Sequence, residues 1–308
     1  MRLCYIANGT SIHTKRWVNY FARKGHDVHL ISSKFSDAGE SFDSRVNLHQ
    51  LVRLFPRAWQ VSGYISGIFW PLQVRRMVRH IEPDILDAHF IRVPGYLGAI
   101  SGFHPLVLTP WGSDILITPK RNPLLRILTK RALKRADMVI CDSETVREEL
   151  LKLGTTPSTI AKVFNGIDTQ QFSPQRRDEA LRVNLGLAEA PTIVCIRHLS
   201  PIYNVEMFIR AIPLILEKAP QAQFIVAGDG EQRGYLEDLA RSLGVSDSTR
   251  FIGWISHDEL PKYLASSDIY VSTSLSDSTS LSLQEAMACE LASVVTDLPS
   301  NREWIVDG

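Results

Sequence analysis

The sequence predicts an α/β protein made of two tandem doubly wound domains, the second one incomplete. Three observations carry that prediction. Short β-branched runs alternate with helical patterns along the chain, which argues for parallel sheets covered by helices. The alternation pauses in one polar segment, residues 170–184, and then starts afresh. The length of 308 residues, with 44% hydrophobic but only 8% aromatic side chains, suits two ordinary cores better than one large core.

In the first half, apolar runs place strands at 3–7, 26–32, 85–90, 106–111 and 138–143. The first helix is expected over 14–24, with Trp17, Tyr20 and Phe21 on one face and Lys15, Arg16, Arg23 and Lys24 on the wet side. Gly25 then ends it as a left-handed cap residue. A last strand, 160–165, runs into Gly166-Ile167-Asp168, and 170–184 reads as the linker, so the first domain is expected to span 1–185. The second, 186–308, shows strands at 192–197, 223–227, 249–253, 268–273 and 293–296 and helices at 204–218, 231–243 and 257–265. Ser256 and Glu259 supply a capping box for the last of these helices. The chain halts at Gly308 as a further helix would begin, so a fragment is expected. Two such sheets in tandem are expected to leave a cleft where their carboxyl ends face each other, which is where sheets of this kind bind ligands.

Composition excludes several classes of function. With 34 Lys+Arg against 33 Asp+Glu, no global charge draws the chain to nucleic acid. The balance hides an asymmetry: 26 basic against 16 acidic residues up to 185, or +10, and 8 against 17 thereafter, or −9. The first half is therefore the one expected to meet anions. Cys4, Cys141, Cys195 and Cys289 stand far apart without a C-x-x-C pair, as reduced core residues would. The opening apolar stretch is too short for a signal peptide, and no uninterrupted apolar run reaches the roughly 18 residues a membrane span needs. Residues 58–74 come closest, but Gln60, Ser62, Ser66 and Gln73 make them amphipathic. A cytoplasmic protein is expected. Lys120, Arg121, Arg126, Lys130, Arg131, Lys134 and Arg135 interleave with Leu124, Leu125, Ile127, Leu128 and Leu133. Segment 120–135 is thus a surface for anionic lipid at the inner face of a membrane, a surface for a phosphorylated acceptor, or an ordinary helix with a wet cationic side. There is no Asp-x-Asp pair and no His or Cys cluster at metal-ligand spacing, so no metal and no cofactor is expected.

The most informative stretch is Asp277-Ser-Thr-Ser-Leu-Ser-Leu-Gln-Glu285-Ala-Met-Ala-Cys289. A serine-rich turn opening a helix offers unpaired N–H groups and the positive end of a dipole to a diphosphate. Ser278, Thr279 and Ser280 add hydroxyls, Glu285 can accept from a ribose diol, and Asp277 can hold sugar hydroxyls. The alternative is a plain N-cap at Ser280 and a solvated Glu285. In the first half, Gly9, His13, His89 and Trp111 follow strand ends and can line a cleft. His89 either donates to a ligand hydroxyl or is structural, and Asp114 either meets an acceptor or caps a helix.

Asp277-x7-Glu285 followed by Ala-Met-Ala-Cys resembles the Glu-x7-Glu signature of the retaining group 1 glycosyltransferases (family 4). Ser11-Ile-His-Thr-Lys-Arg-Trp17, Pro83-Asp-Ile-Leu-Asp-Ala-His89-Phe, Thr109-Pro-Trp-Gly-Ser-Asp114, Asn165-Gly-Ile-Asp and Ala227-Gly-Asp-Gly-Glu231 continue the likeness over nearly the whole chain. The resemblance implies a GT-B fold of two Rossmann-like domains and metal-independent transfer of a sugar from a nucleoside diphosphate to a glycan or lipid-linked acceptor, with retention. It places Asp277, His89 and Arg197 in the reaction, Glu285, Ser278, Thr279, Ser280, Leu281, Gly9 and Trp111 on the donor, and His13 and Asp114 on the acceptor. The departures are Asp277 for the first Glu, Tyr203 where a phosphate-binding Lys is expected, and Glu290 for the Gly that ends the signature helix. Asp277, Tyr203 and the expected missing C-terminus leave open a nucleotide-sugar-binding fragment without turnover, and a sugar-nucleotide epimerase on the same architecture is a third expectation.

Overall fold

The computed structural model describes residues 1–36, 41–52, 69–187 and 189–307. Its chain forms two compact units, Met1–Phe164 and Asn165–Gly308. In the first, β1 (Arg2–Ile6), β2 (Asp27–Ser32), β3 (Val46–Gln50), β4 (Ile85–His89), β5 (Leu106–Thr109), β6 (Met138–Cys141) and β7 (Ile160–Lys162) make one parallel sheet in the order β3-β2-β1-β4-β5-β6-β7. The second unit orders β8 (Thr192–Ile196), β9 (Gln223–Ala227), β10 (Thr249–Gly253), β11 (Ile269–Ser272) and β12 (Ala292–Val295) as β10-β9-β8-β11-β12, again parallel. The strands fall where expected, with ends that differ by up to three residues. The exception is β3, whose edge position leaves Leu48 44% exposed and so blurs its apolar alternation.

Alternation along each central strand feeds two cores. From β1, Cys4 and Ile6 pack with Val74, Val78 and Leu97 on one face, while Leu3, Tyr5 and Ala7 pack with Val18 and Ala22 on the other. The helices behind them are α1 (Ile12–Arg23), α2 (Trp70–Ile81) and α3 (Tyr96–Ser101). Further along run α4 (Ser113–Leu116), α5 (Thr118–Arg121), α6 (Pro123–Leu133) and α7 (Glu144–Lys152). Two expectations for α1 reverse: Lys15 is buried, its Nζ donating to Ser36 O at 2.8 Å, and Tyr20 is exposed. The buried stripe is Thr14, Val18 and Ala22, and a long Lys stem beside it can lie inside while its ammonium finds a carbonyl. All four cysteines are free and buried. Residues 53–68, most of the amphipathic stretch 58–74, lie outside the described residues, and no helix among the described ones is long and apolar enough to cross a membrane.

Residues 165–185, read from sequence as the tail of the first domain and its linker, belong to the second unit. Phe172 sits in a core with Leu187, Val194 and Leu264. Arg182, on α8 (Glu179–Asn184), is buried and donates to Ser266 O at 2.7 Å and Ala190 O at 3.1 Å. Polar composition had disguised a segment whose few apolar and cationic side chains dock inward. Then follow α9 (Val205–Lys218), α10 (Arg233–Ser242), α11 (Leu260–Ala265) and α12 (Leu281–Ala288). Half of the expected capping box forms before α11: Glu259 N donates to Ser256 Oγ at 3.3 Å, but the Glu259 carboxylate turns to Lys262 Nζ at 3.0 Å.

α12 ends as expected, at strain. Glu290 adopts φ +63°, its N–H bonds to Met287 O, and Leu291 N–H reaches back to Ala286 O, a Schellman ending that favours Gly. A side chain there costs about 1 kcal/mol relative to Gly, and Glu290 is exposed, so nothing offsets it. Glu290→Gly is expected to raise the thermal unfolding midpoint by a few degrees in a calorimetric scan.

Candidate active site

In an open parallel sheet, ligands bind beyond the carboxyl ends of the strands where the strand order reverses. That point falls between β8 and β11 in the second unit and between β1 and β4 in the first. The expected site residues collect at both.

In the second unit, Arg197 follows β8 and Asp277 follows β11. Arg197 Nη2 donates to Asp277 Oδ2, Arg197 Nε donates to Ser272 Oγ at 3.0 Å, and the guanidinium lies 5.2 Å from the centroid of Tyr203. Arg197 and Asp277 are 10% and 16% exposed in their side chains, so this is a desolvated pair rather than a surface one. Burial alone would lower the Arg197 pKa, but the Asp277 carboxylate opposes it and keeps the guanidinium charged. Tyr203 thus supplies a face for the cation instead of a second cation. Asp277, expected to reach sugar hydroxyls, spends one oxygen on Arg197 and the other on its neighbour's backbone, Ser278 N at 3.0 Å.

α12 starts where the serine run ends. Ser280 Oγ accepts from Leu283 N at 3.3 Å, and Gln284 N bonds to Ser280 O. The N-cap role is therefore realised, and the N–H groups of Leu281 and Ser282 remain outside the helix's own bonding. Ser278, Thr279 and Ser280 are buried rather than displayed, and Ser280, Ser282 and Tyr270 form a hydroxyl chain with O···O distances of 3.3 and 2.8 Å. Glu285 is buried too, with Oε1 3.5 Å from His257 Nε2. Gln171 Nε2 stands 3.2 Å from His257 Nδ1, and an amide NH2 there leaves the proton on Nε2, facing Glu285. His257 escaped the sequence reading because it looked like part of a helix start.

Behind Arg197 the two loops of the site touch backbone to backbone. Arg197 N bonds to Ala227 O, Leu199 N to Asp229 O and Gln232 N to Leu199 O. Gly228 (φ +137°) and Gly230 (φ +159°) allow this approach, since a Cβ would stand 2.0 Å from Arg197 O and 2.3 Å from Leu199 O respectively.

In the first unit, β4 ends in His89, which is buried, with Nε2 3.3 Å from Asp87 Oδ2. Thr109 Oγ1 donates to Asp87 Oδ1 at 2.9 Å from the end of β5. Tyr5, Trp17 and Trp111 ring the imidazole at centroid distances of 5.4, 5.3 and 5.6 Å. His13 lies 4.7 Å from Trp111, so His13, Trp111 and His89 come together as expected. Asp87 was legible: two residues from His89 on one strand, it must share its face.

Two expectations for this unit change. Asp114 was placed on the acceptor, but both its oxygens are taken by backbone, from Ile91 N at 2.7 Å and Trp111 N at 3.0 Å. Burial pushes its carboxyl up to about 6 against those two bonds. It ties the turn after β4 to the turn after β5. Gly9 was placed on the donor, but its room is filled by the chain itself: a Cβ would meet Lys34 O at 2.6 Å, and its N–H bonds to Ser32 Oγ at 2.8 Å. Among the described residues no group of three or more His, Cys, Asp or Glu side chains is disposed to hold a metal.

Comparison with known proteins agrees in both units. The family model described as Glycosyl transferase 4-like matches residues 2–143, and that of Glycosyl transferases group 1 matches 177–308. A GDP-mannose-dependent alpha-(1-6)-phosphatidylinositol monomannoside mannosyltransferase of Mycolicibacterium smegmatis is 26% identical over 252 residues, covering 77% of this chain and 65% of that protein. A sulfoquinovosyl transferase of Arabidopsis thaliana is 29% identical over 293 residues, covering 90% of this chain and 54% of that protein. The chain thus spans about half to two thirds of the length of these curated relatives. In fold it is similar to Anabaena HepE, solved in complex with UDP and glucose, with a TM-score of 0.81 at 19% identity over 100% of this chain and 84% of that one.

Proposed function

The chain belongs to the group 1 glycosyltransferases, and from that premise we propose that it moves a sugar from a nucleoside diphosphate to a glycan or lipid-linked acceptor, with retention and without a metal. The observation that carries this reading is the gathering of Arg197, Asp277, the start of α12 and Glu285 at the strand-order reversal of the second unit. In this reading the N–H groups of Leu281 and Ser282 and the Arg197 guanidinium take the diphosphate, a preorganised set of donors for a departing phosphate. Glu285, with His257 behind it, takes the ribose diol. Asp277 turns to the sugar when Arg197 turns to phosphate.

The test is a thermal-shift screen of UDP-, GDP- and ADP-sugars on the wild type and on Glu285→Ala. One nucleotide series should stabilise the wild type by several degrees and the variant far less. Stabilisation undiminished in Glu285→Ala would contradict the placement of the ribose.

We also assign the lipid-facing role to segment 120–135. On α6, Leu124 and Ile127 are 61% and 48% exposed beside the exposed Arg126 and Arg131, a pairing that suits an anionic bilayer surface. Vesicles containing phosphatidylglycerol should sediment the protein at low salt and lose it after Leu124→Glu with Ile127→Glu. Equal sedimentation of the double variant would remove this assignment.

A further inference from the structure

The buried imidazole at the end of β4 has a carboxylate beside one ring nitrogen and, among the described residues, no partner beside the other. Thr109 Oγ1 donates to Asp87 Oδ1 at 2.9 Å, which leaves Oδ2 to face His89 Nε2 at 3.3 Å. Asp87, His89 and Thr109 are 7%, 2% and 8% exposed, and a carboxylate in that position accepts a hydrogen bond. The imidazole proton therefore belongs on Nε2. Nδ1 then carries the lone pair, and among the described residues it is buried with no hydrogen-bond partner. A buried acceptor without a donor is costly and calls for a reason.

The surroundings supply one. The next residue, Phe90, has φ +74°, and a single π-helical turn, Ile91–Gly95, follows it. Left-handed backbone at a bulky residue and isolated π turns both concentrate at functional sites. The strand order reverses between β1 and β4, so β4 ends at the crevice where such sheets take ligands, with His89 buried beneath it. The aromatic rings of Tyr5, Trp17 and Trp111 close around it, and aromatic faces suit the apolar faces of a pyranose ring.

We propose that His89 accepts a hydrogen bond at Nδ1 from a hydroxyl of a bound sugar, and that Asp87 is the positioning residue that fixes the imidazole for it. This reverses the polarity expected from sequence, where His89 was the donor. It rests on the sugar-transfer reading only for the identity of the ligand; the tautomer does not depend on it.

The experiment is nitrogen-15 NMR of the full chain labelled at histidine, at about pH 8, above the ordinary imidazole range. His89 is expected as the neutral Nε2–H tautomer, with Nδ1 showing the shift of an unprotonated ring nitrogen. Asp87→Asn should move part or all of that population to Nδ1–H, because Thr109 holds the amide oxygen and the NH2 then faces His89, and the wild-type tautomer decides by itself should that variant fail to fold. An Nδ1–H tautomer in the wild type, or a spectrum unchanged by Asp87→Asn, overturns the role of Asp87. Glucose and UDP-glucose are then added separately as hydroxyl probes. Movement of the Nδ1 resonance with glucose alone points to a free sugar on the acceptor side, and movement only with UDP-glucose points to the donor sugar. No movement with either overturns the hydroxyl contact. Failure of every UDP-, GDP- and ADP-sugar of the thermal-shift screen to bind or be turned over would count against sugar transfer and leave the tautomer result standing.

Discussion

Arg197→Ala is expected to lower affinity for a nucleoside diphosphate sugar about 100-fold, read by titration calorimetry. Hydrogen bonds to charged partners contribute about 1.5–3 kcal/mol each, and an arginine can make two to a diphosphate. A second effect has the same sign. With the guanidinium gone, the Asp277 carboxylate, 16% exposed, is left unpaired beside the place where the diphosphate should sit, and it repels it. The partner substitution should act in the opposite direction on binding. Asp277→Asn releases Arg197 from its ion pair, so UDP without a sugar should bind several-fold tighter, while transfer slows because the sugar has lost its carboxylate. Arg197 without an influence on nucleotide binding would mean that the buried pair is structural.

Gly228→Ala is expected to destabilise the second unit by about 3 kcal/mol or more, measured by denaturant unfolding. The new Cβ would stand 2.0 Å from Arg197 O, which is backbone and cannot swing away, and φ of +137° is outside the range a side chain tolerates. Because the clash falls on Arg197 itself, any folded fraction should also bind nucleotide poorly. Gly234→Ala is the matching control. It lies on α10 with nothing within 4 Å of an added Cβ, and Ala favours helix there by about 0.5–1 kcal/mol. Equal losses from the two substitutions would show that backbone contact between the loops is not what requires Gly228.

Much of the fold was readable because its inner strands such as β1, β8 and β9 are buried on both faces and stand out as short apolar runs, whereas β3 carries only two apolar side chains, Val46 and Leu48, in five residues and left no such trace. The segment 165–185 was misassigned for a related reason. Its docking depends on Phe172 and Arg182, two side chains in a polar stretch, and single anchors carry no periodicity. At the site, the motif around Asp277 and Glu285 marked the helix start and its neighbourhood, and the strand ends marked His13, His89 and Trp111. Pairing was not visible. Nothing in the spacing of Arg197 and Asp277, which lie 80 residues apart, says that each satisfies the other. The backbone partners of Gly9 and Asp114 were not visible because a glycine or a carboxylate after a strand has the same appearance whether it serves a substrate or the chain's own backbone. His257 was hidden by a helix-start pattern that accounted for its neighbours alone.

The second unit is proposed to hold a diphosphate between the start of α12 and Arg197. Crystals of the chain grown with UDP-glucose test it directly. Phosphate oxygens are expected within hydrogen-bond reach of the N–H groups of Leu281 and Ser282, with the Arg197 guanidinium swung from Asp277 onto phosphate and the ribose diol on Glu285. Nucleotide bound elsewhere, or bound with the Arg197–Asp277 pair intact and the first turn of α12 untouched, would contradict it.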